Sequence, residues 1–499
     1  MILRHTASLF FFVFILFSLS CGAKVPMLSD EPVMSDQMRP TVAGSSISLP
    51  QIFMDGMILQ QQSEVKIWGK GSPGKTLVVE TGWDNGRYSV TVGADSLWKV
   101  LVSTPEASFD SYVVRVKEGD NEVVLNDVLI GEVWLCSGQS NMHMPMKGYF
   151  NQPVNGSLDD IVASKNNFLR FFNVKQNSSI LPQFQCEGMW KSASVETTPN
   201  FSATAYYFGR LLQKTLGVPV GLIHASWGGS KIEAWMSKES LEAFPEVSIP
   251  TEEPEKKVAP LRATVMYNGM IQPVAGYAIK GVIWYQGEAS ANQKEYQKYP
   301  ALFKAMHADW TEKWGAKSHF PIYFCQITPY AHYTLKLGHF MREAQLKIAQ
   351  SQPNTAMAVL MDVGEEDILH CANKKVPGER LAYIALAKLY GFDKLSYRSP
   401  EFRSINTLDQ KMIVRFNHAS DGLNSFGREL TGFEIAGADR IFYPAKAEIV
   451  LNTVELSSSS VSDPIAVRYA FDNYAEPSLF GINGLPVSSF RSDDWDDIQ

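Results

Sequence analysis

The apolar positions change rhythm twice along the chain. From Ile47 to Leu129 they fall in short runs such as Val65–Trp68, Leu77–Glu80, Tyr88–Val92, Trp98–Leu101 and Tyr112–Val116, separated by turn clusters such as Gly71-Ser72-Pro73-Gly74. No helical period accompanies them, so residues 47–129 are expected to form an all-β, sandwich-like domain. From Gly131 onward, near-continuous apolar runs at 132–137, 218–226, 280–286, 320–327 and 355–362 alternate with longer stretches at 203–216, 294–314, 338–351 and 376–390. In the longer stretches apolar residues recur every three or four positions, which is the helical spacing. Strands alternating with amphipathic helices predict an α/β domain over 130–395, built on a parallel sheet covered on both faces. Tyr296, Tyr299, Phe303, Met306 and Trp310 make one such stripe and are expected in the core, not as platforms for sugar rings. After Ser396 the β grammar returns at Met412–Phe416, Ala447–Leu451 and Ile465–Tyr469, giving a β-rich domain over 396–499.

A chain of 499 residues exceeds one ordinary core, in line with this three-part layout. The net charge of -7 and the lack of a basic run argue against a nucleic-acid partner. Arg4 precedes an apolar run from Leu9 to Leu19, with small residues at Ser18, Ser20, Gly22 and Ala23. That pattern is a secretory signal peptide over 1–23, followed by a polar linker over 24–46. The mature protein is therefore expected to be exported, as a periplasmic protein, an outer-membrane lipoprotein anchored through Cys21, or an extracellular protein. No other segment is long and apolar enough to span a membrane. The remaining four cysteines do not make a disulfide scaffold, and Cys136 and Cys325 lie in strand-like runs as expected of buried thiols. With no Cys-x-x-Cys or His-Glu-x-x-His pattern, neither a metal nor a cofactor is expected.

The chemistry concentrates where apolar strands end. Val133-Trp134-Leu135-Cys136 runs into Ser137-Gly138-Gln139-Ser140-Asn141, a small polar turn. Ligands bind beyond the carboxyl ends of parallel strands, so Ser140 is placed to face a substrate. Three further strand ends carry Trp227-Gly228-Gly229-Ser230, Gln286-Gly287-Glu288-Ala289-Ser290, and the run from Asp362 to His370. A nucleophilic serine needs a base, and the base needs an orienting acceptor. His370 can be that base, with Asp367 as acceptor if the loop makes one turn; His143, three residues after Ser140, competes for the role. Asp362 and Glu366 are alternatives to Asp367. The backbone N–H groups of Ser140 and Gly229 can donate to an oxyanion, with Gln286 as a third donor. Glu288 reads better as a buried brace between loops than as a chemical group.

At these residues the chain resembles the sialate O-acetylesterase family of the SGNH hydrolase superfamily. The likeness runs from Asp55-Gly56-Met57-Ile58-Leu59-Gln60 through Gly131–Met142, Ser226–Ser237, Trp284–Glu288 and His370…Asn373-Lys374…Gly378-Glu379-Arg380 to Phe490-Arg491…Asp494-Trp495. It implies a flavodoxin-like catalytic domain, Ser140 as nucleophile and His370 rather than His143 as base. Members often read Asp-Ile-His-Pro, whereas Asp367-Ile368-Leu369-His370-Cys371 has one more residue and no proline. They also read Gln-Gly-Glu-Ser-Asn, whereas here Ala289-Ser290 follow Glu288, so the third oxyanion donor lies among Gln286, Ser290 and Asn292. The implied activity is removal of acetyl groups from sugar hydroxyls, with O-acetylated sialic acid as first substrate. Lys147, Lys231 and Arg342 are candidates to receive its carboxylate. An acetyl xylan or hemicellulose esterase is the alternative, and a non-catalytic carbohydrate-binding protein a more distant one.

Overall fold

The computed structural model describes residues 46–291, 295–316, 320–333, 335 and 337–495. The segment expected to be a signal peptide, Cys21 and nearly all of the expected linker fall outside the described residues.

Six parallel strands form the central layer: β1 (Asn121–Gly138), β2 (Asn166–Asn173), β3 (Val220–Ser226), β4 (Gly281–Tyr285), β5 (Ile322–Cys325) and β6 (Thr355–Ala358). Their order across the sheet is β6-β5-β4-β1-β3-β2, and every neighbouring pair is parallel. Trp190–Ala193 adds an antiparallel strand outside β2, so the sheet is mixed. All residues of β3 and β4 are buried, as the unbroken apolar runs require of strands covered on both faces.

Alternate side chains sort to opposite faces. Val133, Leu135, Val282 and Trp284 join one cluster with α4 (Tyr299–Lys313) and α5 (Gly338–Ser351). Trp134, Cys136, Ile283 and Tyr285 join the other with α2 (Ala203–Leu216) and α6 (Lys375–Leu389). The expected stripe Tyr296, Tyr299, Phe303, Met306 and Trp310 is buried, as are the Cys136 and Cys325 thiols. Ser202 caps α2 by accepting the Ala205 N–H at 3.1 Å.

β1 joins the amino-terminal β layers to the α/β layer. Its residues from Asn121 to Ile130 pair antiparallel with Ser108–Glu118, while Glu132–Gly138 pair with β3 and Trp134–Gly138 with β4. The change of rhythm near residue 130 therefore falls inside one strand. Glu64–Lys70 and Leu97–Ser103 pair across from that layer. Beyond α6, strands Glu401–Leu408, Lys411–Asn417, Thr453–Ser457 and Lys446–Val450 make an antiparallel sheet. Its core includes Met412, Val414, Val454 and Leu456 and packs against Val359 and Met361 after β6. No helix among the described residues is long and apolar enough to cross a membrane.

Candidate active site

The sheet order reverses around β1: the chain fills one side with β2 and β3, then crosses to place β4 on the other. Such a switch opens a crevice at the strands' carboxyl ends. Ser140 lies there, as the first residue of α1 (Ser140–His143), directly after β1. Gly138 makes the turn possible, with φ +136 and a position where a Cβ would come 2.2 Å from the Tyr285 carbonyl oxygen. The Gln139 N–H donates to that same carbonyl at 2.9 Å, and its side-chain oxygen accepts from the Gly287 and Ala289 N–H groups at 3.4 and 3.2 Å. The serine turn is thus bolted to the β4 loop.

Asn141 ties it to the histidine loop. Its amide donates to Glu288 Oε1 at 2.5 Å and to the Leu369 carbonyl at 3.3 Å, while its oxygen accepts from Lys374 Nζ. Asn141, Glu288 and Lys374 are all buried. Burial pushes the Glu288 carboxyl above the usual carboxylate range, against the Asn141 bond and the Lys374 charge. Glu288 is the brace the sequence suggested.

The glycine loop covers the serine from the β3 side. The Trp227 N–H donates to the Gly138 carbonyl at 3.1 Å, and a Cβ on Gly228 would lie 3.4 Å from the Ser140 Cβ. Among the described residues, no group accepts from the backbone N–H of Ser140 or of Gly229. The first N–H groups of a helix have no partner within it, which leaves the Ser140 donor without an intrahelical acceptor.

His370 stands at the same rim as Ser140. No hydrogen bond joins the Ser140 hydroxyl to its Nε2; Tyr149 spans the two, donating from its hydroxyl to the Ser140 carbonyl at 3.2 Å with its ring edge-on to the imidazole at 5.2 Å. Burial, then the charges of Lys374 and His143, lower the His370 pKa to about 4. His143 belongs to the same cluster, its Nδ1 2.8 Å from the Tyr149 hydroxyl.

The acid expectation needs correction. Residues 363–370 are bends and irregular backbone without a helical turn, so Asp367 is not carried back to His370. The Asp367 side chain is 79% exposed and takes His332 Nε2 at 2.8 Å. Asp362 is held by Arg380 through two bonds of 2.6 Å. The group that meets His370 Nδ1 is instead the amide oxygen of Gln152, at 2.6 Å.

Gln286 also departs from its expected use. It is fully buried, and its amide nitrogen donates to the Ser230 carbonyl at 3.1 Å and to the Ser290 hydroxyl at 3.3 Å. Neither hydrogen is left for an oxyanion. Ser290 is buried as its partner, and Asn292 lies outside the described residues. Of the three cations, Arg342 is sealed in the core by the carbonyls of Asp472 and Asn473 and the Ser489 hydroxyl. Lys231 pairs with Glu295 at 2.6 Å, and Lys147 donates to Asn200 at 2.6 Å.

Sequence reasoning missed Gln152, Tyr149 and the roles of Asn141 and Lys374. Asn141 and Lys374 stood inside the quoted motifs, and a buried lysine's need for an acceptor could have paired them. Nothing in the local pattern marked Gln152.

Residues 130–386 match the family described as carbohydrate esterase, sialic acid-specific acetylesterase. A sialate O-acetylesterase from Homo sapiens is 30% identical over 417 residues, covering 75% of this chain and 77% of that protein. Its counterpart from Rattus norvegicus is 29% identical over 422 residues, covering 72% and 77%. Among solved structures, a carbohydrate acetylesterase from Xanthomonas citri superposes with a TM-score of 0.82 at 33% identity, over 90% of this chain and 100% of that one.

Proposed function

The chain belongs to the sialic acid-specific acetylesterase family of carbohydrate esterases, and on that premise we propose that it removes acetyl groups from sugars through an acetyl-enzyme on Ser140. The Ser140 hydroxyl attacks the acetyl carbonyl while His370 Nε2 takes its proton and hands it to the departing sugar oxygen. Water then attacks the acetyl-enzyme with the same imidazole as base, releasing acetate and restoring the serine. The N–H groups of Ser140 and Gly229 receive the oxyanion, each worth roughly 3 kcal/mol in the transition state. The observation that carries this reading is the convergence at one rim: the serine turn after β1, the glycine loop against the Ser140 Cβ, and the Asn141 bond to Leu369 beside His370. The layout is that of a flavodoxin-like SGNH hydrolase, with an exported mature form.

O-acetylated sialic acid is the first substrate. Lys147, exposed and bonded to the neutral Asn200 amide, is the cation for its carboxylate, since Arg342 is sealed and Lys231 is paired with a carboxylate. That thin provision of cations also favours a second reading, an acetylated neutral polysaccharide such as xylan. Ser140→Ala is expected to abolish p-nitrophenyl acetate hydrolysis with an unchanged circular dichroism spectrum; wild-type turnover in that variant removes Ser140 as nucleophile. Acetate release measured side by side on acetylated sialoglycan and acetylated xylan decides the substrate.

A further inference from the structure

We propose that a neutral amide, Gln152, orients the catalytic imidazole in the place where a serine hydrolase usually holds a carboxylate. The inference rests on His370 being the base of the reaction proposed above.

Two observations support it. The first is the 2.6 Å contact between Gln152 Oε1 and His370 Nδ1, with Asp367 and Asp362 both committed elsewhere. An amide oxygen can only accept, so Nδ1 carries the proton and Nε2 is left with its lone pair for the serine. The second is the way the backbone presents Gln152. Tyr149 and Gln152 exchange both N–H···O bonds, at 2.9 and 3.0 Å, closing a tight turn. Gly148 has φ +81, and a Cβ there would meet the Gln152 carbonyl at 2.4 Å. The Asn155 N–H then donates to the Ala372 carbonyl at 2.9 Å, which registers this turn against the histidine loop. Gln152 is therefore held by backbone bonds on both sides, with His370 within reach of its side chain.

The chemical consequence is a base without an anion on its far side. An aspartate stabilises the imidazolium as it forms, whereas an amide fixes the ring and tautomer and gives less charge stabilisation. The groups facing His370 are Lys374 at the start of α6, His143 on α1, and the neutral Tyr149 phenol, with Glu288 reached only through Asn141. None supplies a carboxylate to the ring. The site trades proton affinity for a histidine that stays neutral well into acid.

The test uses the full chain and the variants Gln152→Glu, Gln152→Met and Asp367→Asn. In Gln152→Glu the acid limb of kcat/KM for p-nitrophenyl acetate should move up by about one pH unit or more, because an anion at hydrogen-bond distance favours imidazolium. The His370 ring signal in an NMR titration should move by the same amount, a readout that needs no turnover. In Gln152→Met, kcat should fall by about tenfold or more with KM nearly unchanged, and the ring 15N shifts should show loss of the Nδ1–H tautomer. Asp367→Asn should match the wild type in all of these. An unmoved limb and titration in Gln152→Glu, or a shift in Asp367→Asn, overturns the assignment. Full esterase activity in Ser140→Ala would instead sink the reaction assigned to the site, while the titration would still judge Gln152.

Discussion

At the residue scale, the proposed reaction depends on a His370 imidazole kept neutral and on the Ser140 hydroxyl at the same rim. His370 has its pKa lowered to about 4, so kcat/KM is expected to hold level as pH falls through 6 and 5 and to decline only as pH approaches that value. A limb centred near neutrality would contradict this. His370→Ala should cost about two to four orders of magnitude in kcat. His143→Ala should cost far less, since its Nδ1 serves the Tyr149 hydroxyl. Steady-state rates of the two variants compare them directly. Ser140 and His370 were legible as candidates because each follows a strand-like run in a polar motif. Their orienting partner was not, because Gln152 reaches His370 across 218 positions of sequence and lies in a loop with no motif of its own. Gln286 misled for a related reason: whether an amide donates to substrate or to a neighbouring carbonyl depends on atoms that local sequence does not place.

At the element scale, the strand-to-helix turn after β1 is the most constrained piece of backbone near the chemistry. Gly138→Ala would combine a left-handed φ with a Cβ 2.2 Å from the Tyr285 carbonyl oxygen, so β1 and β4 would have to part. The expected cost is at least about 3 kcal/mol, read as a lower urea midpoint together with lost esterase activity. Asn141→Ala would leave Glu288 and Lys374 buried with their shared amide gone. Each buried polar group left without its partner typically costs about 1–3 kcal/mol, and the same unfolding titration measures it. Elements with strong periodicity were readable: helices α2 and α5 fall at 203–216 and 338–351 as the apolar spacing indicates. Strand β2 escaped the sequence reading, because Asn166-Asn167-Phe168-Leu169-Arg170-Phe171-Phe172 mixes polar residues into a short apolar run. The 362–370 loop could not be anticipated either, since Glu365 shapes it by accepting the Ala372 N–H at 2.7 Å.

At the scale of the whole molecule, the carboxyl-terminal β region is fastened to the catalytic layer by buried polar contacts. Arg342 on α5 reaches the carbonyls of Asp472 and Asn473, and Asn473 in turn holds the Ala331 and Tyr333 carbonyls. Arg491 adds a paired contact to Glu343 at 2.9 and 3.1 Å. Arg342→Ala would strip this donor from the Asp472 carbonyl, while the Asn473 carbonyl keeps the Tyr330 N–H, and should destabilise by about 3 kcal/mol. Limited proteolysis should then release the region after residue 395 sooner than in the wild type. Acid should also weaken the fold. His224 and His339 have pKa values lowered to about 3 and His370 to about 4, chiefly by burial. Each is neutral when folded but binds a proton when unfolded below about pH 6.5. Their stabilisation is therefore complete above that value and is lost as pH falls through the folded values; urea midpoints between pH 7 and pH 4 should decrease steadily.

What the sequence determined by itself was the set of local choices: strand or helix, buried or exposed, and which polar turns follow strands. Periodicity and side-chain chemistry act over a few residues, so they are written where they act. The tertiary structure alone decided which polar atoms meet. It gave the imidazole an amide instead of a carboxylate, turned Asp367 outward to His332, spent Gln286 on Ser230 and Ser290, and buried Arg342 as a clamp. Hydrogen bonds act over about 3 Å, and only the packing of distant loops brings their partners that close.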